Sequence, residues 1–327
     1  GNHLSNNGRG LYFLGLELGQ DELADLGARI LLAEAGRIFT RSGLLREGSS
    51  HYHLLLTRNY AEAWLTARAR GRAEAGDFEF VARSALEATP ALTLPGGMPL
   101  IGDISPDCPP EFLTCLLPGG NLDTGWAGLL SKNDRSALTS MIKGLQPTSP
   151  ARVATAGWHR LSRAAWTLLS YASPDGWTPT PGHAHQDMGS FELHRGDERI
   201  IVDPGRGAYG AEGEAAMYAA AWGHNGLRVD GHDPYPPNKP YYNDAFRRAI
   251  SGPSPLVTRV GARLSIAHDG FTRLRGVDTV TRNITLEENR VIIEDAIDGV
   301  GTHTLAQRLH TILPVTVSGN AATLGNA

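Results

Sequence analysis

Apolar residues recur at three- and four-residue steps through the first third of the chain, which is the spacing of one face of an α-helix. This pattern predicts helices over residues 21–38 and 50–70, and a third over 77–89 that stops before Pro90. The connections between these segments are short. Successive helices with short connections favour packed helical hairpins.

Residues 93–150 break this pattern because glycine, proline, aspartate and serine are dense there. We interpret them as a long structured connection with one short helix near 134–144, and we place the domain change near residue 150. Beyond it, short runs that alternate apolar and polar residues predict strands. These runs are 165–171, 189–194, 198–202, 226–230, 256–259, 263–267, 278–285, 290–296 and 303–310.

Strands that follow one another without intervening helices favour an antiparallel β-sandwich or stacked sheets. The sequence therefore predicts an α+β multidomain protein. Its helical part and linker occupy residues 1–150, and its antiparallel β-sandwich occupies residues 151–327.

Composition narrows the choice of partner. The net charge of −4 leaves no basic surplus, so nucleic acid is not the expected partner. No apolar run reaches about 18 residues, so no membrane span is predicted. The two cysteines, Cys108 and Cys115, suit either a loop-pinning disulfide or two idle thiols, and no cysteine-rich metal site exists. We expect both ends to be cut, because the chain starts at Gly1 without a methionine and ends at Ala327 after a strand-like run with no closing element.

The densest chemistry lies in residues 182–205, where His183, His185 and Asp187 occupy alternate positions. On an extended chain these three side chains project from one face. Asp203 ends the apolar run IIVD, and His224 lies at a later loop-to-strand junction. Imidazoles and a carboxylate from separate strands suit Zn²⁺. The alternative is a pair of hydrogen-bonding surface histidines beside a turn aspartate.

The helical part carries a second polar cluster. Asn2 and His3 open the chain, and Tyr52 stands between His51 and His53 at the start of a predicted helix. A buried tyrosine beside cationic neighbours can exchange protons, because such neighbours lower its pKa. The alternative is a half-buried helix tyrosine and an asparagine cap.

Together these segments resemble the heparinase II/III-like polysaccharide lyases, and the resemblance runs through nearly the whole chain. The glycine spacing between Asp295 and His303 is looser than in the family, and Ala219 stands where many members carry an arginine. The matching positions are Asn2-His3, Glu47 to Tyr52-His53, His183-x-His185-x-Asp187 with Ser190-Phe191, Asp203-Pro204-Gly205, His224-Asn225 with Val229-Asp230-Gly231, and Asp295 to His303.

The resemblance implies a partial (α/α) toroid followed by the sandwich, and a reaction. Asn2 and His183 would hold the C5 carboxylate of a uronic acid, and Tyr52 would take the C5 proton so that β-elimination gives a 4,5-unsaturated product. Supporting roles would fall to His3, His53, Tyr209 and Tyr218.

The resemblance also implies a structural zinc ion near the active site. Its ligands would be His185, Asp203 and His224, with Asp187 accepting an imidazole N–H from beyond the ligand set. Arg206, Arg228 and Lys239 suit an anionic polymer, although a solvated surface is the expected role of each.

The expected substrate is an acidic polysaccharide of the heparan sulfate, alginate or exopolysaccharide kind, met in the periplasm or outside the cell. A zinc-dependent hydrolase with Asp187 as base, and a non-catalytic glycan-binding protein of the same fold, are the alternatives. The sequence leaves the polymer, endo or exo action and the oligomeric state open.

Overall fold

The computed structural model describes residues 2–177, 183, 185–210, 212–237 and 242–325. The chain divides into two compact units whose sequence ranges interleave. One unit comprises Gly1–Arg46, Ser50–Ala91 and Ser105–Ala156, and the other comprises Glu47–Ser49, Leu92–Ile104 and Gly157–Ala327. The domain change near residue 150 stays a prediction. Two short segments from the first 150 residues, 47–49 and 92–104, belong to the same unit as the strands.

The first unit is helical. Its α-helices are α1 (Asn2–Glu17), α2 (Asp21–Ile38), α3 (Ser50–Ala69), α4 (Ala75–Ala88), α5 (Gly125–Gly128), α6 (Lys132–Lys143) and α7 (Pro150–Ala154), and 3-10 turns cover Thr89–Leu92 and Pro110–Leu116. The predicted helices therefore form, α2 with both bounds as predicted. Both cysteines, Cys108 and Cys115, are buried free thiols. Within the described ranges, no helix combines the length and apolar character that crossing a membrane requires.

Helices α1 and α2 pack backbone to backbone, which the sequence permits through glycine. A Cβ atom on Gly27 would lie 2.4 Å from the backbone nitrogen of Tyr12 and 2.6 Å from the carbonyl oxygen of Gly8. Any larger residue would force the helices apart. Tyr12 fills the core beside this crossing, with its ring edge-on to Phe78 at 5.4 Å between centroids.

The second unit is built mainly from strands. They are β1 (Trp158–Arg163), β2 (Trp166–Tyr171), β3 (Phe191–Arg195), β4 (Glu198–Ile201), β5 (Leu227–Val229), β6 (Leu256–Val260), β7 (Arg263–His268), β8 (Val277–Leu286), β9 (Val291–Gly299), β10 (Leu305–Gln307), β11 (Val315–Ser318) and β12 (Ala321–Leu324). Helices α8 (Gly213–Ala219) and α9 (Asp244–Ser251) and a 3-10 turn at Ala221–Gly223 lie between strands.

Two antiparallel four-stranded sheets, in the orders β1-β2-β3-β4 and β6-β7-β8-β9, dominate this unit, and β10-β5 and β11-β12 form two small ribbons. One buried cluster contains Leu168 and Phe191 from the first sheet together with Ile266 and Ile284 from the second. Because both sheets bury their apolar faces in one core, they form the predicted antiparallel β-sandwich. Strand β1 and the ribbon β11-β12 had no counterpart among the predicted strands.

Candidate active site

The candidate site around His183 lies within the second unit. His183 and His185 precede β3, and the side chain of Asp103 reaches both. The His183 Nδ1 atom lies 2.9 Å from Asp103 Oδ2, and the His185 Nε2 atom lies 2.7 Å from Asp103 Oδ1. On the other edge of its ring, His183 Nε2 lies 3.5 Å from a carboxylate oxygen of Glu47. The segments 47–49 and 92–104 thus bring two acidic side chains to His183.

The backbone around Asp103 is held on both sides. Its N–H donates to the carbonyl oxygen of His183 at 3.3 Å, and its carbonyl oxygen accepts from the Ser49 hydroxyl at 2.7 Å. Gly102 has φ +76°, and a Cβ atom there would lie 2.8 Å from the oxygen of Gly48. Only glycine fits that approach and that backbone conformation without strain. The local sequence therefore fixes where the Asp103 carboxylate stands.

Asp103 is fully buried and charged. Burial raises the pKa of this carboxyl, but hydrogen bonds from His183, His185 and Arg206 outweigh burial and hold the pKa well below its usual range. Arg206 Nη1 lies 2.7 Å from Asp103 Oδ1. The expectation that Arg206 is a solvated surface residue is therefore wrong, because its charge is needed beside a buried carboxylate. Arg228 pairs with Asp233 at 3.1 Å.

The three expected metal ligands lie close together. His224 Nδ1 is 3.0 Å from each carboxylate oxygen of Asp203, and the rings of His185 and His224 are 4.8 Å apart between centroids. Burial lowers the pKa of His224, but the charge and hydrogen bond of Asp203 raise it overall to about 9. Asp203 also accepts from the Ser190 hydroxyl at 3.3 Å and from the Gly205 N–H at 2.9 Å.

The donor set suits zinc in its chemistry. Two atoms in it, His185 Nδ1 and His224 Nε2, are buried and have no hydrogen-bond partner among the described residues. Within that part of the chain, however, no three histidine, cysteine, aspartate or glutamate side chains converge as a ready metal cage. The Asp203 carboxylate instead faces the His224 ring. The zinc ion stays a prediction.

Asp187 is the acid expected to accept an imidazole N–H, and that role stays a prediction. It is buried, and burial is the main reason that its pKa rises to about 7. Its Oδ2 atom has no partner among the described residues, whereas the carboxylate that holds His185 is Asp103. The sequence reasoning missed Asp103 because it lies 82 positions before His185 in a loop rich in proline and glycine. Aspartate is common in such turns, so its type carried no signal there.

A buried arginine supports the loops that carry these histidines. Arg282 on β8 pairs with its cross-strand neighbour Asp295 on β9, at 2.7 Å from Nε and 2.9 Å from Nη2. Its Nη1 atom donates to the carbonyl oxygens of Gly189 at 3.0 Å and Asn225 at 2.7 Å. One side chain therefore anchors the chain before β3 and the residue that follows His224.

The motif residue Asn225 ties three further segments together through its side chain. Its amide donates to the carbonyl oxygens of Phe191 at 2.8 Å and Val202 at 2.9 Å, and its Oδ1 atom accepts from the backbone N–H of His310 at 2.7 Å. Since Asn225 is fully buried, each of these bonds replaces one that water would make. Asn225 therefore acts as a structural partner of His224.

The remaining tyrosine candidates of this unit use their hydroxyl groups locally. Tyr209 donates to the carbonyl oxygen of Ile104 at 3.0 Å, and the Arg206 guanidinium lies 3.9 Å from its ring centroid. Tyr218 on α8 donates to Glu214 at 3.3 Å. Their supporting catalytic roles stay predictions. Lys239 lies outside the described residues.

The candidates of the helical unit occupy two helices. Asn2 and His3 lie in the first turn of α1, Asn2 half-buried and His3 exposed. Tyr52 is buried in α3, with its ring edge-on to His51 at 6.0 Å between centroids. His51 Nδ1 accepts from the backbone N–H of Ser105 at 3.1 Å. That Asn2 and Tyr52 act with His183 on one sugar ring stays a prediction.

His53 is part of the helical core. Its Nδ1 atom accepts from the Leu45 N–H at 3.3 Å, and its Nε2 atom donates to the carbonyl oxygen of Ala85 at 3.1 Å. Burial lowers the pKa of His53 to about 4. The neutral ring that this arrangement requires is the form that burial favours.

Comparison with known proteins identifies the family. The sequence pattern of the family described as heparinase II/III-like, C-terminal, matches residues 145–325, which is more than half of the chain. The chain belongs to this family. No curated protein matches it by sequence.

Solved structures share the fold. The heparan sulfate lyase HepC from Pedobacter heparinus has a TM-score of 0.63 and 17% sequence identity, and the match covers 97% of this chain and 49% of that one. A structure of heparinase III has a TM-score of 0.66 and 15% identity, with 97% and 50% covered. The chain spans about half the length of these structures. Toroid helices followed by an antiparallel sandwich, the predicted fold class, are confirmed.

Proposed function

We propose that the full-length protein is a polysaccharide lyase that cleaves a uronic-acid-containing glycan of the heparan sulfate kind by β-elimination. The observation that carries this proposal is the setting of His183, whose ring stands between the carboxylates of Asp103 and Glu47. Family membership supports it, as do the two structures named above, which are those of a heparan sulfate lyase and of heparinase III. We propose the periplasm or the cell exterior as its location, on the family resemblance alone.

The chemistry explains the residue types. The C5 proton of a uronic acid becomes acidic only when donors neutralise the neighbouring carboxylate and stabilise the enolate-like charge that develops. His183 donates through Nε2 while Asp103 accepts from Nδ1, and the amide of Asn2 supplies a second donor. Tyr52 would take the C5 proton, and the same or a neighbouring hydroxyl would protonate the departing O4.

We also propose that zinc binds His185, Asp203 and His224. The side chains of all three residues are buried, and buried imidazole and carboxylate donors suit this ion. When bound, the ion would tie the loop that carries His183 to the end of β4 and to the loop before β5, which fixes geometry without joining the reaction. Arg282 and Asn225 already hold the same three segments.

The test is to incubate the full-length protein with heparan sulfate, alginate and an uncharged glucan. We expect products of heparan sulfate that absorb ultraviolet light through the 4,5 double bond, and none from the glucan. The Tyr52→Phe variant should lose turnover by about a hundredfold or more and still bind the polymer. Products that carry added water and lack the absorbance would show hydrolysis instead. Binding without any product would show a glycan-binding protein.

A further inference from the structure

We infer that Asp103 is a positioning residue that orients His183 and His185 with one carboxylate and thereby couples the proposed reacting histidine to the proposed metal ligand. The inference rests on the proposed function for its catalytic half. Its other half concerns the orientation of His185 and is independent of the reaction.

Both oxygens of the carboxylate are used. Oδ2 is hydrogen-bonded to Nδ1 of His183 at 2.9 Å, whereas Oδ1 is hydrogen-bonded to Nε2 of His185 at 2.7 Å. An amide in place of the carboxylate has one acceptor oxygen and one donor NH₂ group. It can satisfy one histidine and must present a donor to the other, so the arrangement requires an acid.

The acid is itself held in place. Arg206 donates from Nη1 to Oδ1 at 2.7 Å, and its guanidinium contacts in turn the ring of Tyr209 and the carbonyl oxygen of Ala208. The backbone bond from Asp103 to His183, together with the Ser49 hydroxyl, fixes the main chain. A carboxylate with this many partners holds one position, and the rings that bind it take their orientation from it.

Two consequences follow for the rings. His183 uses Nδ1 on Asp103, so Nε2, on the Glu47 side, is the atom that the proposed reaction would use. His185 uses Nε2 on Asp103, which leaves its buried Nδ1 as the atom for a metal ion. Without Asp103 each ring loses the hydrogen bond that selects which nitrogen it presents to its neighbours.

The experiment compares Asp103→Asn with Asp107→Asn in the full-length protein. Asp107 is an exposed aspartate of the same loop, so it controls for the loss of one charge. We expect Asp103→Asn to lower kcat about 10²- to 10⁴-fold with KM nearly unchanged, and to weaken zinc affinity about 10- to 100-fold. Asp107→Asn should leave both as in the wild type. Wild-type kcat and zinc affinity in Asp103→Asn would overturn the inference.

A double variant separates positioning from a general loss of structure. If Asp103 acts on the reaction through His183, adding Asp103→Asn to His183→Ala should lower kcat no further when zinc is saturating, because the ring that it orients is already gone. Multiplied losses would contradict this. Should Asp103→Asn fail to fold, Ser49→Ala removes only the hydroxyl behind Asp103. That variant should lower kcat about fivefold, and unchanged kcat would count against the inference.

The outcome is distinguishable from failure of the proposed function. If the wild-type protein yields no unsaturated product, the proposed lyase activity is wrong. The role of Asp103 is then tested by zinc affinity alone. In that case, equal zinc affinity of the wild type and Asp103→Asn overturns the orientation of His185 as well.

Discussion

Arg282 donates from Nη1 to the backbone oxygen of Asn225 at 2.7 Å, although Arg282 lies on a sandwich strand and Asn225 follows a candidate metal ligand. The same nitrogen reaches Gly189, and the rest of the guanidinium is neutralised by Asp295. The sandwich thus supports the site through a charged side chain that is almost completely buried. Removing one partner of such a pair leaves the other charge uncompensated.

Replacing Arg282 with methionine should therefore lower the free energy of unfolding by about 3–5 kcal/mol. Thermal or urea unfolding measures the change. Arg290→Met is the matched control, because Arg290 is an exposed arginine paired with Glu287, and its effect should stay within about 0.5 kcal/mol. The double variant Arg282→Met with Asp295→Leu should recover part of the loss, since it leaves no buried charge. Equal effects of Arg282→Met and Arg290→Met would refute the account.

Removal of metal should destabilise the full-length protein if zinc binds His185, Asp203 and His224. An ion that binds only the folded state raises the unfolding temperature, so a chelator should lower it, and added zinc should restore it. His224→Ala should carry less zinc by elemental analysis and lose this response. The control is His232→Ala, at an exposed histidine of the same unit. A wild-type protein without zinc and without a chelator response contradicts the proposal.

The crossing of α1 and α2 predicts opposite effects for two glycines of one helix. Gly27→Ala should destabilise the protein by about 1–3 kcal/mol, because the new methyl group would meet backbone atoms of α1. Gly36→Ala should stabilise it by about 0.5–1 kcal/mol, because nothing lies within 4 Å of a Cβ there and alanine is the better helix former. Urea unfolding compares the two variants. A stabilised Gly27→Ala variant would show that the helices are not in close contact.

His53 predicts a loss of stability in acid. Its pKa is about 4 in the folded protein, below the value of about 6.5 in an unfolded chain, so the unfolded state binds more protons between these values. The free energy of unfolding should therefore fall as the pH falls from 6.5 towards 4, by about 1.4 kcal/mol per pH unit for this one group. His53→Gln should flatten the slope, and His3→Gln at an exposed position should not. An unchanged slope in His53→Gln would rule out this assignment.

Periodicity alone predicted most of the fold. Helix α2 begins and ends where its apolar spacing does, and β7 and β8 follow their alternation to within a residue. Strand β1 was missed because Trp158–Arg163 mixes polar and apolar residues without a run of alternation. The strands β11 and β12 were not predicted, although Val315–Ser318 alternates apolar and polar residues; both strands are short and mostly exposed.

The site was predictable only where its residues are close in sequence. His183, His185 and Asp187 share one short segment, and the resemblance supplied Asp203 and His224. Asp103 pairs with His183 across 80 positions, and a pairing of that length leaves no periodic trace. Likewise, the acid that the fold brings to His185 is Asp103 and not Asp187, which is nearer in sequence.

The interleaving of the two units constrains how the protein matures. Glu47, Ser49 and Asp103 leave the ribosome well before His183. During synthesis the carboxylates of Glu47 and Asp103 therefore stay exposed to water until the histidine that they contact has been made. Closing the loop between Asp103 and His183 costs conformational entropy before their contact can form. We therefore expect this region to assemble late in folding. A nascent chain stopped before the sandwich should therefore expose the 92–104 segment to proteases and chaperones.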